Sequence, residues 1–148
     1  MVGIVTPAAL SRQQAMQQLL QGIADDKDAY RDLLALLDEQ FDAAIRHQRE
    51  RLGTLAEAIG TLVDTLEARR ARRVELATAL TGAQPSMAQV FTLLRPEARA
   101  KVQADWAELE TMVQAAKAGG KRNGDLLAEQ YTIMQRVLHG ENQLYEPI

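Results

Sequence analysis

The fold is decided by residues 52–80, which read LGTLAEAIGTLVDTLEARRARRVELATAL. Every third or fourth residue of this stretch falls on one face of a helix, and all but two of these residues are leucine or isoleucine. They are Leu52, Leu55, Ile59, Leu62, Leu66, Arg69, Arg73, Leu76 and Leu80. A spacing that alternates between three and four is typical of a helix that packs along an antiparallel partner. Gly82 and Pro85 then end the pattern, so the sequence predicts a helix over 49–81.

The partner for this seam is predicted upstream. A second apolar stripe has the same spacing, with Lys27 at its one polar position, and its members are Met16, Leu20, Ile23, Tyr30, Leu34, Leu37, Phe41 and Ile45. Thr6 and Pro7 suit the start of a helix, which predicts a helix over 7–46. The polar residues 46–51 between the two stripes favour the tip of a helical hairpin, and one continuous helix stays an alternative.

The C-terminal half is divided by proline and glycine residues. Ser86 and Pro96 each suit the start of a helix, whereas the glycines near residue 120 resist helix formation and Gly140 would end the last helix. The predicted segments are a short helix 86–94, a helix 97–118, a hinge 119–124, a helix 125–139 and a mobile tail 140–148. The sequence thus predicts one all-α domain over 1–148. It would be a long antiparallel, coiled-coil-like hairpin whose additional C-terminal helices complete an elongated helical bundle.

The composition narrows the function before any motif is considered. The 148 residues carry a net charge of −3, without the basic excess that nucleic-acid binders use to neutralise phosphate. The chain has no cysteine, which excludes disulfide and thiolate chemistry. The apolar start MVGIVTPAAL lacks the basic region of a signal peptide, and no uninterrupted apolar run is long enough to span a membrane. We therefore expect no nucleic acid among the partners and no membrane insertion.

Residues that could carry catalysis or bind a metal are sparse. His47 and His139 lie far apart in the sequence, and neither belongs to a metal-binding motif. The acidic cluster Asp25, Asp26 and Asp28 lacks the alternating ligands and the central glycine of a calcium loop, and fits a solvated helix face. There is no glycine-rich phosphate loop and no nucleophile motif. We expect no enzyme activity, no metal and no cofactor.

The four arginines between 69 and 73 admit two interpretations. They could form a phosphate-binding stripe. Alternatively, Arg69 and Arg73 fall on the helix seam, where they would pair with acids of the first helix such as Asp26 or Asp28 and help to fix the register. The second interpretation is favoured, because it explains why two arginines stand among the seam leucines.

Trp106 is the only tryptophan and also admits two interpretations. It lies on an apolar helix face, where it could pack in the core. It could equally anchor a partner helix, since tryptophan is frequent at binding hot spots. Periodicity alone does not separate these alternatives, and the same holds for Met112, Met134 and Tyr131.

Three stretches together resemble the FlgN family of flagellar export chaperones. They are the arginine-ended leucine helix LEARRARR at 66–73, the motif WAEL at 106–109, and RNGDLL at 122–127 with a helix and the tail LYEP at 144–147 after it. The resemblance implies a cytoplasmic helical protein that holds the C-terminal amphipathic helices of hook–filament junction proteins. It would prevent their premature assembly and deliver them to the type III export apparatus.

By this resemblance, the partner-binding residues lie in the C-terminal half, and the tail around Tyr145 contacts the client or the export apparatus. The predicted binding residues are Trp106, Leu109, Val113, Asn123, Gly124, Leu127, Tyr131, Met134, Leu138 and Tyr145. The hinge at 119–124 would let the last helix move to admit a client helix, and Trp106 and Leu109 would line the other side of that client. Two other functions stay open: a coiled-coil scaffold or adaptor of another pathway, and a helical protein that associates with nucleic acid through its arginine run.

Overall fold

The computed structural model describes the backbone of residues 10–145 and the side chains of residues 10–140. This part of the chain is 90% helical and contains no strand. Its helices are α1 (Arg12–Ile45), α2 (Arg49–Thr81), α3 (Met87–Thr92) and α4 (Pro96–Tyr145). The predicted fold class, an all-α elongated bundle of long helices, is confirmed.

α1 starts with a capping box. The Ser11 hydroxyl accepts a hydrogen bond from the backbone amide of Gln14, and the Gln14 side chain accepts one from the amide of Ser11. Each bond satisfies an amide that has no partner inside the helix. Residues 10–11 are therefore not helical, in contrast to the predicted helix over 7–46. The predicted start at Thr6 lies outside the described residues.

The polar segment between the two stripes is the tip of a hairpin. α1 ends at Ile45 and α2 begins at Arg49, and His47 between them has a positive φ of 55°. The backbone amides of residues 46–48 turn back onto carbonyls in the last turn of α1, at N–O distances of 2.9–3.2 Å. The alternative of one continuous helix is therefore wrong.

α1 and α2 pack antiparallel along the predicted seam. Arg12, at the start of α1, donates to the carbonyl of Leu80 near the end of α2 at 3.1 Å. Asp26 and Arg73 pair further along both helices. Buried leucines line the contact: Leu19, Leu33, Leu37, Leu55, Leu66, Leu76 and Leu80. Removing these side chains from water stabilises the hairpin by roughly 25 cal/mol for each Å² of apolar surface buried.

α4 differs from its prediction in two places. It is one helix of 50 residues, so the predicted hinge at 119–124 and the predicted separate helices 97–118 and 125–139 are wrong. Gly140 does not end it, and the segment predicted as a mobile tail is helical as far as Tyr145. Residues 146–148 lie outside the described part of the chain.

Packing against α1 explains why the glycines do not break α4. A glycine inside a helix is disfavoured by about 1 kcal/mol relative to alanine. A Cβ at Gly119 would lie 3.4 Å from Leu37 Cδ1, so glycine lets the two helices lie close together at this point. Asn123, one turn later, hydrogen-bonds to α1. These contacts outweigh the low helix propensity of the glycines. A sequence pattern shows that propensity but does not show the contacts.

α1 is the middle one of the three long helices. It packs against α2 on one side and against α4 on another, whereas α2 and α4 make few contacts with each other. α4 runs parallel to α1, because Lys27 meets Asp105 and, further along both helices, Ala44 meets Gln130. This arrangement leaves a groove between α2 and α4.

The short helix α3 closes the end of the molecule where α2 ends and α4 begins. Ser86 caps it with a second capping box, and the helix is shorter than the predicted 86–94. Val90 and Phe91 are buried in the core cluster at this end. Arg99 of α4 donates to the carbonyls of Phe91 and Leu94, both at 3.0 Å, and so fixes the turn between α3 and α4.

Candidate partner-binding site

A groove of about 400 Å³ lies between α2 and α4. Tyr30 and Leu33 of α1 form its floor, with Asp26 at one end. Its walls are Val63, Leu66, Glu67, Arg70 and Arg73 from α2, and Trp106, Leu109, Glu110, Val113 and Gln114 from α4. An apolar centre with a few polar groups at its edge is the usual composition of a ligand-binding cleft.

Arg73 of α2 contacts both α1 and α4 within this groove. Its guanidinium donates to Asp26 Oδ2 at 2.6 Å and lies 5.2 Å from the centroid of the Trp106 ring. Arg69 approaches the same carboxylate, with its Nη1 3.5 Å from Asp26 Oδ1. The predicted pairing of the two seam arginines with an acid of the first helix is therefore confirmed. Trp106 itself is partly buried and packs against the core cluster.

The Asp26 carboxylate is almost fully removed from water. Its side chain is 3% exposed, and Oδ1 accepts no hydrogen bond from the described residues. Burial, and after it the negative charge of Asp26, raises the pKa of the Tyr30 phenol. The Tyr30 side chain on the floor of the groove is therefore uncharged at neutral pH.

Charged residues hold the first half of α4 against α1. Lys27 Nζ lies 3.2 Å from Asp105 Oδ1 and 2.7 Å from Glu108 Oε2. The hydrogen bonds to Glu108 and Asp105 raise the pKa of Lys27. Hydrogen bonds from Lys101 and then Lys27 lower the pKa of Asp105, and the bond from Lys27 lowers that of Glu108.

These shifts predict that acid weakens the attachment of α4 to α1. A carboxyl group whose pKa is lowered by folding stabilises the folded state above its ordinary pKa and loses that contribution as the pH falls through the lowered value. With ordinary values of 4.5 for Glu108 and 3.8 for Asp105, the loss should begin below about pH 4.5. Thermal melting of the protein between pH 7 and about pH 3 should therefore show a steeper fall than that of Lys27→Met. Parallel profiles for the two proteins would contradict this role of Lys27.

Asn123 fixes α4 near the other end of α1. It is 1% exposed, and its Nδ2 donates to the Leu37 carbonyl at 2.7 Å and to Gln40 Oε1 at 2.8 Å. Arg122 beside it stacks on the Phe41 ring, 4.2 Å from the centroid. The buried amide of Asn123 finds these partners in one register of α4 against α1. Other registers are disfavoured, because they would leave the amide unpaired in an apolar seam.

α4 continues past the hairpin tip, and its described side chains there do not pack against the other helices. Gln130 Nε2 donates to the Ala44 carbonyl at 3.0 Å, one residue before α1 ends. Every described residue after it, from 131 to 140, is exposed. Residues 131–145, here called the overhang, extend over about 22 Å at 1.5 Å per residue.

The overhang is amphipathic where its side chains are described. Large apolar side chains that are 46–66% exposed stand on it: Tyr131, Ile133, Met134, Val137 and Leu138. At 100° per residue they occupy an arc of about 160° of the helix surface. Asn123 and Gln130 fall within the same arc. The exposed apolar stripe therefore continues the face with which α4 packs against α1.

A family model described as FlgN protein matches residues 15–143, which is most of the chain. The chain belongs to the FlgN family. FlgN proteins are chaperones of flagellar assembly and type III export, and the family is not known for enzyme activity. No curated protein and no solved structure matches the chain.

The structure does not bring the predicted FlgN-type binding residues into one site. Trp106, Leu109 and Val113 line the groove, and Leu109 is buried. Tyr131 lies on the overhang, about 37 Å from Trp106 along the same continuous helix. The prediction that Trp106 and Leu109 face the last helix across a client therefore fails, because no hinge separates the two halves of α4.

The remaining predicted residues occupy different environments. Asn123 is buried against α1 and acts within the molecule. Gly124 is exposed and Leu127 is half-buried at the root of the overhang. Met134 and Leu138 share the exposed stripe with Tyr131. The side chain of Tyr145 lies outside the described residues.

Sequence reasoning missed two members of the exposed stripe, Ile133 and Val137. The signal was present, since both are β-branched apolar residues four positions apart, next to the row of Tyr131, Met134 and Leu138. A stripe that includes them is wider than a two-residue coiled-coil seam.

Two other classes of site were sought in the described residues. They contain no group of three or more His, Cys, Asp or Glu side chains placed to hold a metal ion. Among the described helices, none combines the length and apolarity needed to cross a membrane.

Proposed function

We propose that this FlgN-family chaperone binds the C-terminal amphipathic helices of flagellar hook–filament junction proteins through its overhang. It acts in the cytoplasm, keeps these clients from assembling prematurely and brings them to the type III export apparatus. The observation that carries the proposal is the exposed apolar stripe at 131–138, an unpartnered continuation of the packed face of α4.

The packing of α1 on α4 supports a specific mode of client binding. α1 ends at Ile45, while the face that receives it continues along the overhang. A client helix can therefore lie where a longer α1 would lie, with its apolar stripe against the overhang. Recognition of an amphipathic helix through anchors at i, i+3, i+4 and i+7 matches the spacing of Tyr131, Met134 and Leu138. The client stripe would then be covered and unable to pair with another client molecule.

The groove between α2 and α4 is a weaker candidate for the client-binding site. Leu109 is buried, and Trp106 is held over the Arg73 guanidinium. These two residues offer little free apolar surface to a client, whereas the side chains of 131–138 are exposed without any rearrangement. We therefore assign client binding to the overhang, with Leu127 at its root. The family resemblance implies that the segment around Tyr145 contacts the client or the export apparatus, and we assign it to the apparatus.

Replacing apolar side chains of the stripe with acidic ones should greatly weaken client binding. The double variant Tyr131→Glu/Leu138→Glu places two carboxylates where a client's apolar face would pack, and burial of an unpaired charge is strongly unfavourable. We expect the affinity for a peptide of a junction protein's C-terminal helix to fall by roughly 100-fold or more, measured by isothermal titration calorimetry.

The matched control is Thr132→Glu/Gln135→Glu, which adds the same charge to the polar face of the same two turns. It should change the affinity by less than roughly threefold, and both variants should melt like the unmodified protein because all four positions are exposed. Equal losses in the two variants would show that charge, rather than the stripe, governs binding. If the unmodified protein bound no junction-protein helix, the proposed function would be wrong.

A further inference from the structure

The hairpin tip, which lies beside the root of the overhang, carries an excess of positive charge. Residues 46–51 at the hairpin tip have a net charge of +2 with histidine neutral, and the balance stays at +1 when Asp42 is included, although the whole chain carries −3. The overhang itself, residues 131–145, contains Arg136 and Glu141 and is neutral with histidine neutral. The end of a bound helix that lies against the tip would therefore be the part that meets a positive field.

The arginines at the tip are only partly neutralised. Arg46 Nε lies 3.0 Å from Asp42 Oδ1 and Arg51 Nη1 lies 2.8 Å from Asp42 Oδ2, so two guanidinium groups share one carboxylate. Arg49 is exposed and is held by no ion pair or hydrogen bond among the described side chains.

The end of α1 fixes where this charge meets a partner. Gln130 bonds to the Ala44 carbonyl, so the overhang leaves the bundle beside the tip. A helix that packs on the overhang in continuation of α1 has one end against Ile45 and the tip, and Ile45 is itself 53% exposed. The terminal turn of the partner is thus the part that lies nearest the arginines.

We propose that the hairpin tip selects the partner helix by its charge: the end that abuts the tip carries acidic residues. This inference rests on the proposed function, because it takes the overhang as the docking surface. Rim charges of this kind mainly set the orientation, the association rate and the salt dependence of binding, while the apolar stripe supplies most of the affinity.

Two peptides test the inference. Both are the C-terminal helix of a hook–filament junction protein with its stripe unchanged; one carries two glutamates in each terminal turn, and the other carries two lysines in each. Placing the charge at both ends makes the test independent of the direction in which the helix lies. At low ionic strength the protein should bind the glutamate peptide roughly tenfold more tightly, and the preference should shrink in high salt as the charges are screened.

Arg49→Glu should remove most of this preference, lowering the affinity for the glutamate peptide roughly fivefold. The substitution puts an acidic residue in the first turn of α2, where it interacts favourably with the helix dipole, so the fold should be preserved. Arg95→Glu is the matched control: it is an exposed arginine at the start of α4, about 50 Å from the tip, and should leave the preference intact.

The outcomes separate this inference from the proposed function. Equal affinity for the two peptides, or an equal loss of preference in Arg49→Glu and Arg95→Glu, would overturn the role of the tip and leave client binding to the overhang standing. Failure of both peptides to bind would overturn the proposed function together with the inference. Loss of the preference in Arg49→Glu but not in Arg95→Glu would support the inference.

Discussion

A chain truncated after Gln130 is expected to fold normally and to lose client binding. The truncation removes only residues that are exposed or that lie beyond the described side chains, and it keeps the bonds of Asn123 and Gln130 to α1. The free energy of unfolding in urea should therefore change by less than about 1 kcal/mol. The affinity for a junction-protein helix should fall by roughly 100-fold or more, because the whole docking face is gone.

A truncation that removes more of α4 would give a less clear answer. Cutting after Ala118 would also delete Arg122 and Asn123, so a loss of binding could reflect a loosened α4. If the chain ending at Gln130 bound its client at full affinity, the overhang would not be the site. The groove would then be the alternative, and Trp106→Ala in the full chain should be the variant that loses binding.

The hairpin could be predicted from the sequence because its signals are local and mutually consistent. The alternating stripe of α2 gave both its bounds and its seam, and Leu66, Leu76 and Leu80 are buried as expected. The seam arginines were also assigned correctly, because an arginine among leucines needs an acid opposite it. Asp26 lay in the part of α1 that antiparallel pairing brings to Arg73.

α4 could not be predicted in the same way, because its continuity depends on contacts that are distant in the sequence. Gly119 and Gly124 lower the helix propensity around 120, and propensity is all that a local pattern records. The close approach to Leu37 and the bonds of Asn123 override it. The wrongly predicted hinge also led to a wrong position for the binding site. A hinge would have placed Tyr131 near Trp106, whereas in a continuous helix Tyr131 lies beyond the hairpin tip.

The exposed stripe shows what periodicity can and cannot reveal. The row of Tyr131, Met134 and Leu138 was found from its spacing, but the spacing is the same for a core face and for a docking face. The distinction comes from the length of α1, which ends at Ile45 and leaves the last turns of α4 uncovered. Only the register of α4 against α1, fixed by Asn123, determines which residues fall beyond that end.

Arg73→Met is expected to destabilise the fold strongly. The substitution removes the guanidinium 2.6 Å from Asp26 Oδ2, and the carboxylate is 3% exposed. Loss of one partner from a buried pair leaves an uncompensated charge. Arg69 remains 3.5 Å away but is itself 39% exposed, so it compensates only in part. We expect the free energy of unfolding in urea to fall by about 3 kcal/mol.

Two further variants decide whether the buried charge is the cause. Arg70→Met changes the neighbouring exposed arginine and should alter stability by less than about 0.5 kcal/mol. Combining Arg73→Met with Asp26→Leu removes the stranded carboxylate and should recover much of the loss, since well-packed apolar residues often replace a buried ion pair without destabilisation. If the double variant were as unstable as Arg73→Met, the loss would come from the packing of the Arg73 side chain against Trp106, because removing the charge would then have made no difference.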